Sequence, residues 1–136
     1  MLFSLVQAKQ LAIVADKNSE TSNVKAADLT NLLNGKSKTW PDGKAVKIVL
    51  RDPSSPDMEL VLRRLLNMTP EQAQALIGAH PGQIMVAESD QAILRIVSST
   101  RGTIGIVDLY SLTKDVNVVK IDGKLPFDSG YLLKGN

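Results

Sequence analysis

The sequence predicts an α/β fold with helices packed on a sheet, and three observations carry that prediction. Residues 11–15, 46–50, 103–107 and 116–121 form short apolar runs rich in β-branched side chains, the pattern of buried strands. Between them lie segments whose apolar residues recur at helical spacing. Capping and stop residues stand at the joins between the two patterns. Strand and helix in alternation are the signature of layered α/β domains.

In chain order, Leu11-Ala12-Ile13-Val14-Ala15 opens as a buried strand, followed by a polar loop over residues 16–23. A helix is expected over residues 26–33, with Leu29, Leu32 and Leu33 on one face and Asn34-Gly35 as its stop. Pro41-Asp42-Gly43 is a tight turn leading into the second strand. Pro56 suits the first position of a helix capped by Ser55. In that helix Met58, Val61, Leu62, Leu65 and Leu66 make the apolar face, and Glu59 and Arg63 are spaced to pair on the outer one. Thr69-Pro70-Glu71-Gln72 is a capping box for a helix running to Ile77 and closed by Gly78. Ser89 caps another, with Ala92, Ile93, Ile96 and Val97 inward, and Gly123 turns the chain after the last strand.

Composition bounds the function. At 136 residues with 43% hydrophobic and 22% charged residues, the chain is one ordinary domain with a real core. A net charge of +2 spread along the sequence gives no electrostatic footprint for nucleic acid. No apolar run is long enough for a membrane-spanning helix. Without cysteine there are no disulfides, thiolate metal sites or cysteine nucleophiles. Residues 1–8 are apolar and end in Val6-Gln7-Ala8, small residues spaced for a signal peptidase, so they read as the tail of a secretory signal or as a disordered start. The domain proper is then 9–136.

Catalytic constellations are missing. His80, the single histidine, lies in a turn-like Ala79-His80-Pro81-Gly82 and has no serine or acid placed to complete a triad. The acids are scattered rather than clustered for a metal, and no glycine-rich phosphate loop is present. No enzyme activity, cofactor or metal is expected. What does stand out is Arg51, at the end of a strand, followed by Ser54 and Ser55 just before a helix start. An arginine and two hydroxyls at a helix N-terminus can hold an oxyanion. The competing reading makes Ser55 a plain cap and pairs Arg51 with Asp52 or Asp57. Ser98, Ser99 and Thr100, in the loop before Gly102, are either further anion ligands or a polar helix end.

Several of these segments together resemble the phosphate-binding-protein-like branch of the type II periplasmic (ABC transporter) substrate-binding proteins. The resemblance is carried by the L-A-I-V-A strand, the helix ending at Gly35, and the Thr39-Trp40-Pro41-Asp42-Gly43 turn. It continues through the Arg51 to Asp57 loop, Gly102-Thr103-Ile104-Gly105-Ile106-Val107, and Val118 to Gly123 with Tyr131. Order and spacing hold across residues 11–131. The resemblance implies a mixed sheet with helices on both faces, as in a single lobe of such a protein. It also implies an exported, periplasmic or secreted bacterial protein that captures phosphate or a related oxyanion for an ABC importer.

The loop departs from the family's R-x-D-x-S-G-T pattern. Arg51 and Ser55 match its arginine and serine, whereas Pro53, Pro56 and Asp57 replace the aspartate, glycine and threonine. Pro56 removes an N–H donor. A carboxylate about 4 Å from a bound anion repels it by roughly 4 kcal/mol at an effective dielectric near 20, about three decades in affinity. The chain also begins where the family crosses from its first lobe to its second. Two functions follow as expectations: a binding lobe using Arg51, Ser54, Ser55, Ser99 and Thr100 weakly or not at all, or an interaction module. The module would dock to a membrane transporter complex, another protein or a second copy, anchored by whichever of Trp40, Tyr110 and Tyr131 is exposed.

Overall fold

A computed structural model describes residues 9–135; the signal-like segment 1–8 lies outside the described residues. Six strands form one mixed sheet in the order β2-β6-β1-β5-β3-β4. These are β1 (Leu11–Asp16), β2 (Asn23–Val24), β3 (Lys47–Leu50), β4 (Ile84–Val86), β5 (Thr103–Asp108) and β6 (Val116–Ile121). β1 lies in the middle, antiparallel to both β5 and β6, with Leu11 opposite Asp108 and Asp16 opposite Val116. β3 runs parallel to β5 and β4, and β2 parallel to β6.

The alternation of side chains along β1 divides the core. Leu11, Ile13 and Ala15 face one layer and Val14 the other, and all four are buried. On the first face sit α1 (Ala26–Leu33), through Leu29, Leu32 and Leu33, and a compound helix. That helix begins as a 3₁₀ turn (Pro56–Met58), passes through one α-helical turn, α2 (Glu59–Val61), and ends in a π-helical segment (Leu62–Leu66). α3 (Pro70–Ala79) flanks it, with Ile77 against the same core. On the second face α4 (Asp90–Ser99) presses Ile93, Leu94 and Val97 onto Val14, Val49 and Val107. Helices therefore cover both faces, as the α/β reading requires.

α4 sits close to the sheet because Gly105 has no side chain. A Cβ there would lie 2.5 Å from the Ile93 Cγ2 and 3.0 Å from the Val97 Cγ2. The Thr69 capping box forms as its sequence predicts, with Gln72 N donating to the Thr69 hydroxyl at 3.2 Å and Thr69 N to the Gln72 side chain at 2.9 Å.

Several boundaries differ from expectation. α3 runs through Gly78 to Ala79, because the chain is turned by His80 and by Gly82 at φ +86° rather than by Gly78. Asp16 belongs to β1, and Asn23–Val24 is a short strand rather than loop. β4 is an edge strand whose Met85 and Val86 are exposed, so it carries no burial pattern to read and exists through its pairing with β3. The Glu59–Arg63 ion pair does not form among the described residues. Glu59, Val61 and Leu62 keep right-handed α-helical dihedrals, so the spacing is retained and the two exposed side chains stay unpaired without a break in the helix between them.

Candidate functional site

The carboxyl ends of the parallel strands β3 and β5 meet the start of the antiparallel β1 at one edge of the sheet. Open α/β sheets hold ligands at such edges. Arg51 follows β3 there, Asp108 ends β5, Lys9 precedes β1, and Asp90 is the first residue of α4. These four and Asp57, from the 3₁₀ turn, form one charged chain. The Arg51 Nη1 donates to Asp90 Oδ1 at 3.2 Å and to Asp57 Oδ2 at 3.4 Å. Lys9 Nζ pairs with the other Asp57 oxygen and, at 3.2 Å, with Asp108.

Asp90 is the anchor of this cluster. Its side chain is 7% exposed. Besides Arg51 it accepts from the Asp108 N–H at 3.1 Å and from the Ser111 hydroxyl at 2.9 Å. A carboxylate at the first turn of a helix also meets the positive end of its dipole. Two cations and three carboxylates leave the cluster one negative charge in excess. Hydrogen bonding to Asp57, joined by Asp108, holds the Lys9 ammonium above its ordinary range despite some desolvation.

Arg51 thus stands where the sequence places it, but its carboxylate partners occupy the donor an oxyanion would use. Of the two partners considered for it, Asp57 is engaged and Asp52 is not. Its Nε is buried without a partner among the described residues. Ser54 and Ser55 share the loop yet turn inward on it. The Ser54 hydroxyl and N–H both donate to Asp52 Oδ1, at 2.7 and 2.8 Å, and these bonds hold the exposed Asp52 carboxyl below its ordinary pKa. The Ser55 hydroxyl donates to the Asp52 carbonyl at 2.7 Å, so Ser55 occupies the cap position without capping by its side chain.

Ser98, Ser99 and Thr100 are not brought to this edge. They end α4, whose first residue is Asp90, so the helix separates them from the cluster by about 15 Å at 1.5 Å per residue. Thr103, just beyond, is paired with Lys47 at the opposite end of β3 from Arg51. The Ser98 and Ser99 hydroxyls donate back to the Arg95 carbonyl at 3.1 and 2.8 Å, the polar-helix-end arrangement. The structure does not bring Ser99 and Thr100 together with Arg51: order in the sequence does not tell which end of a strand a loop occupies.

Sequence reasoning missed Lys9, Asp90, Asp108 and Ser111. Each flanks a strand or helix terminus, and only the fold gathers them: the register of β1 on β5 brings Lys9 to Asp108, and α4 brings Asp90 to Asp108 and Ser111. Of the three aromatic anchors, Trp40 and Tyr131 are buried and Tyr110 is 76% exposed. The Tyr131 hydroxyl donates to the Leu11 carbonyl at 2.8 Å, and burial pushes its pKa up. His80 is structural: its Nδ1 lies 2.9 Å from the Leu76 carbonyl, and its ring fills the space that the missing Gly35 side chain leaves. Among the described residues no three His, Cys, Asp or Glu are grouped to hold a metal, and no helix is long and apolar enough to cross a membrane.

No protein-family model matches the sequence, and no curated protein matches it. Solved structures do. PstS from Borrelia burgdorferi aligns over 96% of this chain and 56% of its own, at 22% identity and a TM-score of 0.77. An ABC-type phosphate transport receptor from Vibrio cholerae aligns over 95% and 55%, at 15% identity and 0.77. A phosphate binding protein from Stenotrophomonas maltophilia aligns over 88% and 41%, at 18% identity and 0.69. The chain spans about half the length of the first two of these proteins. It has the α/β fold of one lobe of a type II periplasmic binding protein, the fold that phosphate ABC transporter substrate-binding proteins share.

Proposed function

We propose that the chain is an exported solute-binding-like lobe, related to phosphate ABC transporter substrate-binding proteins, that binds phosphate or a kindred oxyanion weakly or not at all. The observation that carries this reading is the pairing of Arg51 with Asp57 and Asp90. Asp57 puts an internal carboxylate where the anion would sit, and Lys9 holds that carboxylate in place. An incoming oxyanion has to displace it and face a cluster already negative. Its partner in transport would be an ABC importer complex. Arg51 is the residue of the oxyanion site, Ser54 and Ser55 contribute only after leaving Asp52, and Ser99 and Thr100 contribute nothing at this edge.

Calorimetric titration with phosphate, sulfate and molybdate tests this on the wild type, Arg51→Ala and Asp57→Thr. The wild type is expected to bind no tighter than millimolar. Asp57→Thr should strengthen phosphate binding by about one to three decades, since it removes a repulsion of up to ~4 kcal/mol. Arg51→Ala should abolish whatever remains. Micromolar binding by the wild type, or no gain in Asp57→Thr, would refute the blocked-site reading.

A second reading is favoured by two side chains. Tyr110 and Phe127 are each 76% exposed. Both adjoin residues tied to Gln10, whose carbonyl accepts from the Leu109 N–H and whose amide donates to the Pro126 carbonyl. Exposed aromatics of this kind are the usual anchors of protein interfaces. On this reading the lobe docks to a second copy through that surface. Sedimentation velocity across a concentration series should then show a dimer that Tyr110→Ser with Phe127→Ser dissociates, and a monomer at every concentration rules self-docking out.

A further inference from the structure

A groove of about 590 Å³ runs between the loop after β3 and the segment joining the compound helix to α3. It is within the size range of small-ligand sites. Pro53, Pro56, Leu62 and Met68 give it apolar walls, and Glu59 and Arg63 are its charges. These two sit four residues apart on one helix, the spacing at which opposite charges normally pair. Here neither makes an ion pair or a side-chain hydrogen bond among the described residues, although both are exposed.

A π-helical turn borders the groove. Asn67 donates its N–H to the Leu62 carbonyl, which also accepts from the Met68 N–H at 3.2 Å. The turn closes with Asn67 in the left-handed region at φ 52°. Such turns cost stability relative to a continuous α-helix and recur at functional sites. This one widens the helix where it borders the groove, beside the unpaired acid and base.

We propose that this groove is a binding site for a small apolar zwitterion, such as a short apolar peptide with both termini free. Its ammonium meets Glu59, its carboxylate meets Arg63, and its side chains lie against the proline, leucine and methionine walls. The groove shares Ser54 and Ser55 with the oxyanion loop but not Arg51, and its zwitterion contacts are made by Glu59 and Arg63, so the proposal does not depend on the oxyanion reading. The Arg51 head points into carboxylates that do not line the groove.

Titration of ¹⁵N-labelled protein with L-leucyl-L-leucine, N-acetyl-leucyl-leucine and leucyl-leucine amide tests it. The free dipeptide should bind with a Kd of about a millimolar or tighter, shifting the amide signals of Asn67, Met68 and Gln72. Each capped form should bind about tenfold more weakly, as loss of one charge-assisted contact implies. Glu59→Gln should remove the preference over the acetylated form and Arg63→Gln the preference over the amide. Both substituted positions are exposed, so these variants fold. Equal affinity for free and capped dipeptides, retention of both preferences in the variants, or no shifts at 10 mM ligand each overturns the proposal.

Discussion

Replacing Asp90 by alanine is expected to destabilise the protein by about 3 kcal/mol, the low end for breaking a buried charge pair. Asp90 is 6% exposed and serves three donors: Arg51, the Asp108 N–H and the Ser111 hydroxyl. Alanine leaves the Asp108 N–H without an acceptor, and an orphaned buried donor alone costs about 1–3 kcal/mol. It also leaves Arg51 with Asp57 as its one anionic partner among the described residues. The Arg51 side chain is 25% exposed, so water relieves part of the loss, and the larger figures for buried pairs do not apply. Urea unfolding followed by circular dichroism reads the effect. Asp90→Asn keeps an acceptor for the backbone N–H and should lose about half as much. If Asp90→Ala stays within ~0.5 kcal/mol of wild type, the range of an unremarkable surface change, the cluster is not holding the sheet edge together.

The second large effect is expected at Gly105. Valine there would drive its Cβ against the Ile93 and Val97 methyls on one side and the Val14 methyl, 3.5 Å away, on the other. Ile93, Val97 and Val14 are all fully buried. β-branched side chains on a packed helix have no spare rotamer to retreat into, so α4 must lift from the sheet. Overpacking typically costs 1–3 kcal/mol, and with two sides blocked Gly105→Val should lie at or above ~3 kcal/mol. Gly105→Ala should cost about 2 kcal/mol and be partly rescued by Ile93→Ala, which removes the nearest methyl. A double-mutant cycle on those two positions checks it; strict additivity means the predicted crowding is absent.

Much of the layered fold was legible because burial on both faces and helical spacing speak directly through residue type. The strand at Val116–Ile121 and the capping box at Thr69 fall where the sequence puts them. β4 was illegible for a physical reason: its exposed edge needs no apolar pattern, and its hydrogen bonds come from a partner strand. The π-helical turn was equally hidden, since Leu62, Leu65 and Leu66 satisfy an α-helical stripe as well as a widened one. At the site, Arg51 and Asp57 were found together because six residues separate them. Asp90 and Lys9 were not, because Asp90 reaches the cluster through α4 packed on the sheet and Lys9 through the pairing of β1 with β5. That is why the sequence foresaw a repelling carboxylate but not the second one.

The place of β1 has a consequence for how the chain acquires its structure. Its two neighbours, β5 and β6, lie roughly a hundred residues downstream, so the middle of the sheet is assembled from the most distant parts of the sequence. At ribosomal rates of about 5–20 residues per second, the first strand waits on the order of 5–20 s before its partners exist. Throughout that interval an apolar strand is exposed on both sides. Folding of the sheet is therefore held back until β5 and β6 have been made, and a nascent chain halted before Thr103 lacks both partners for β1.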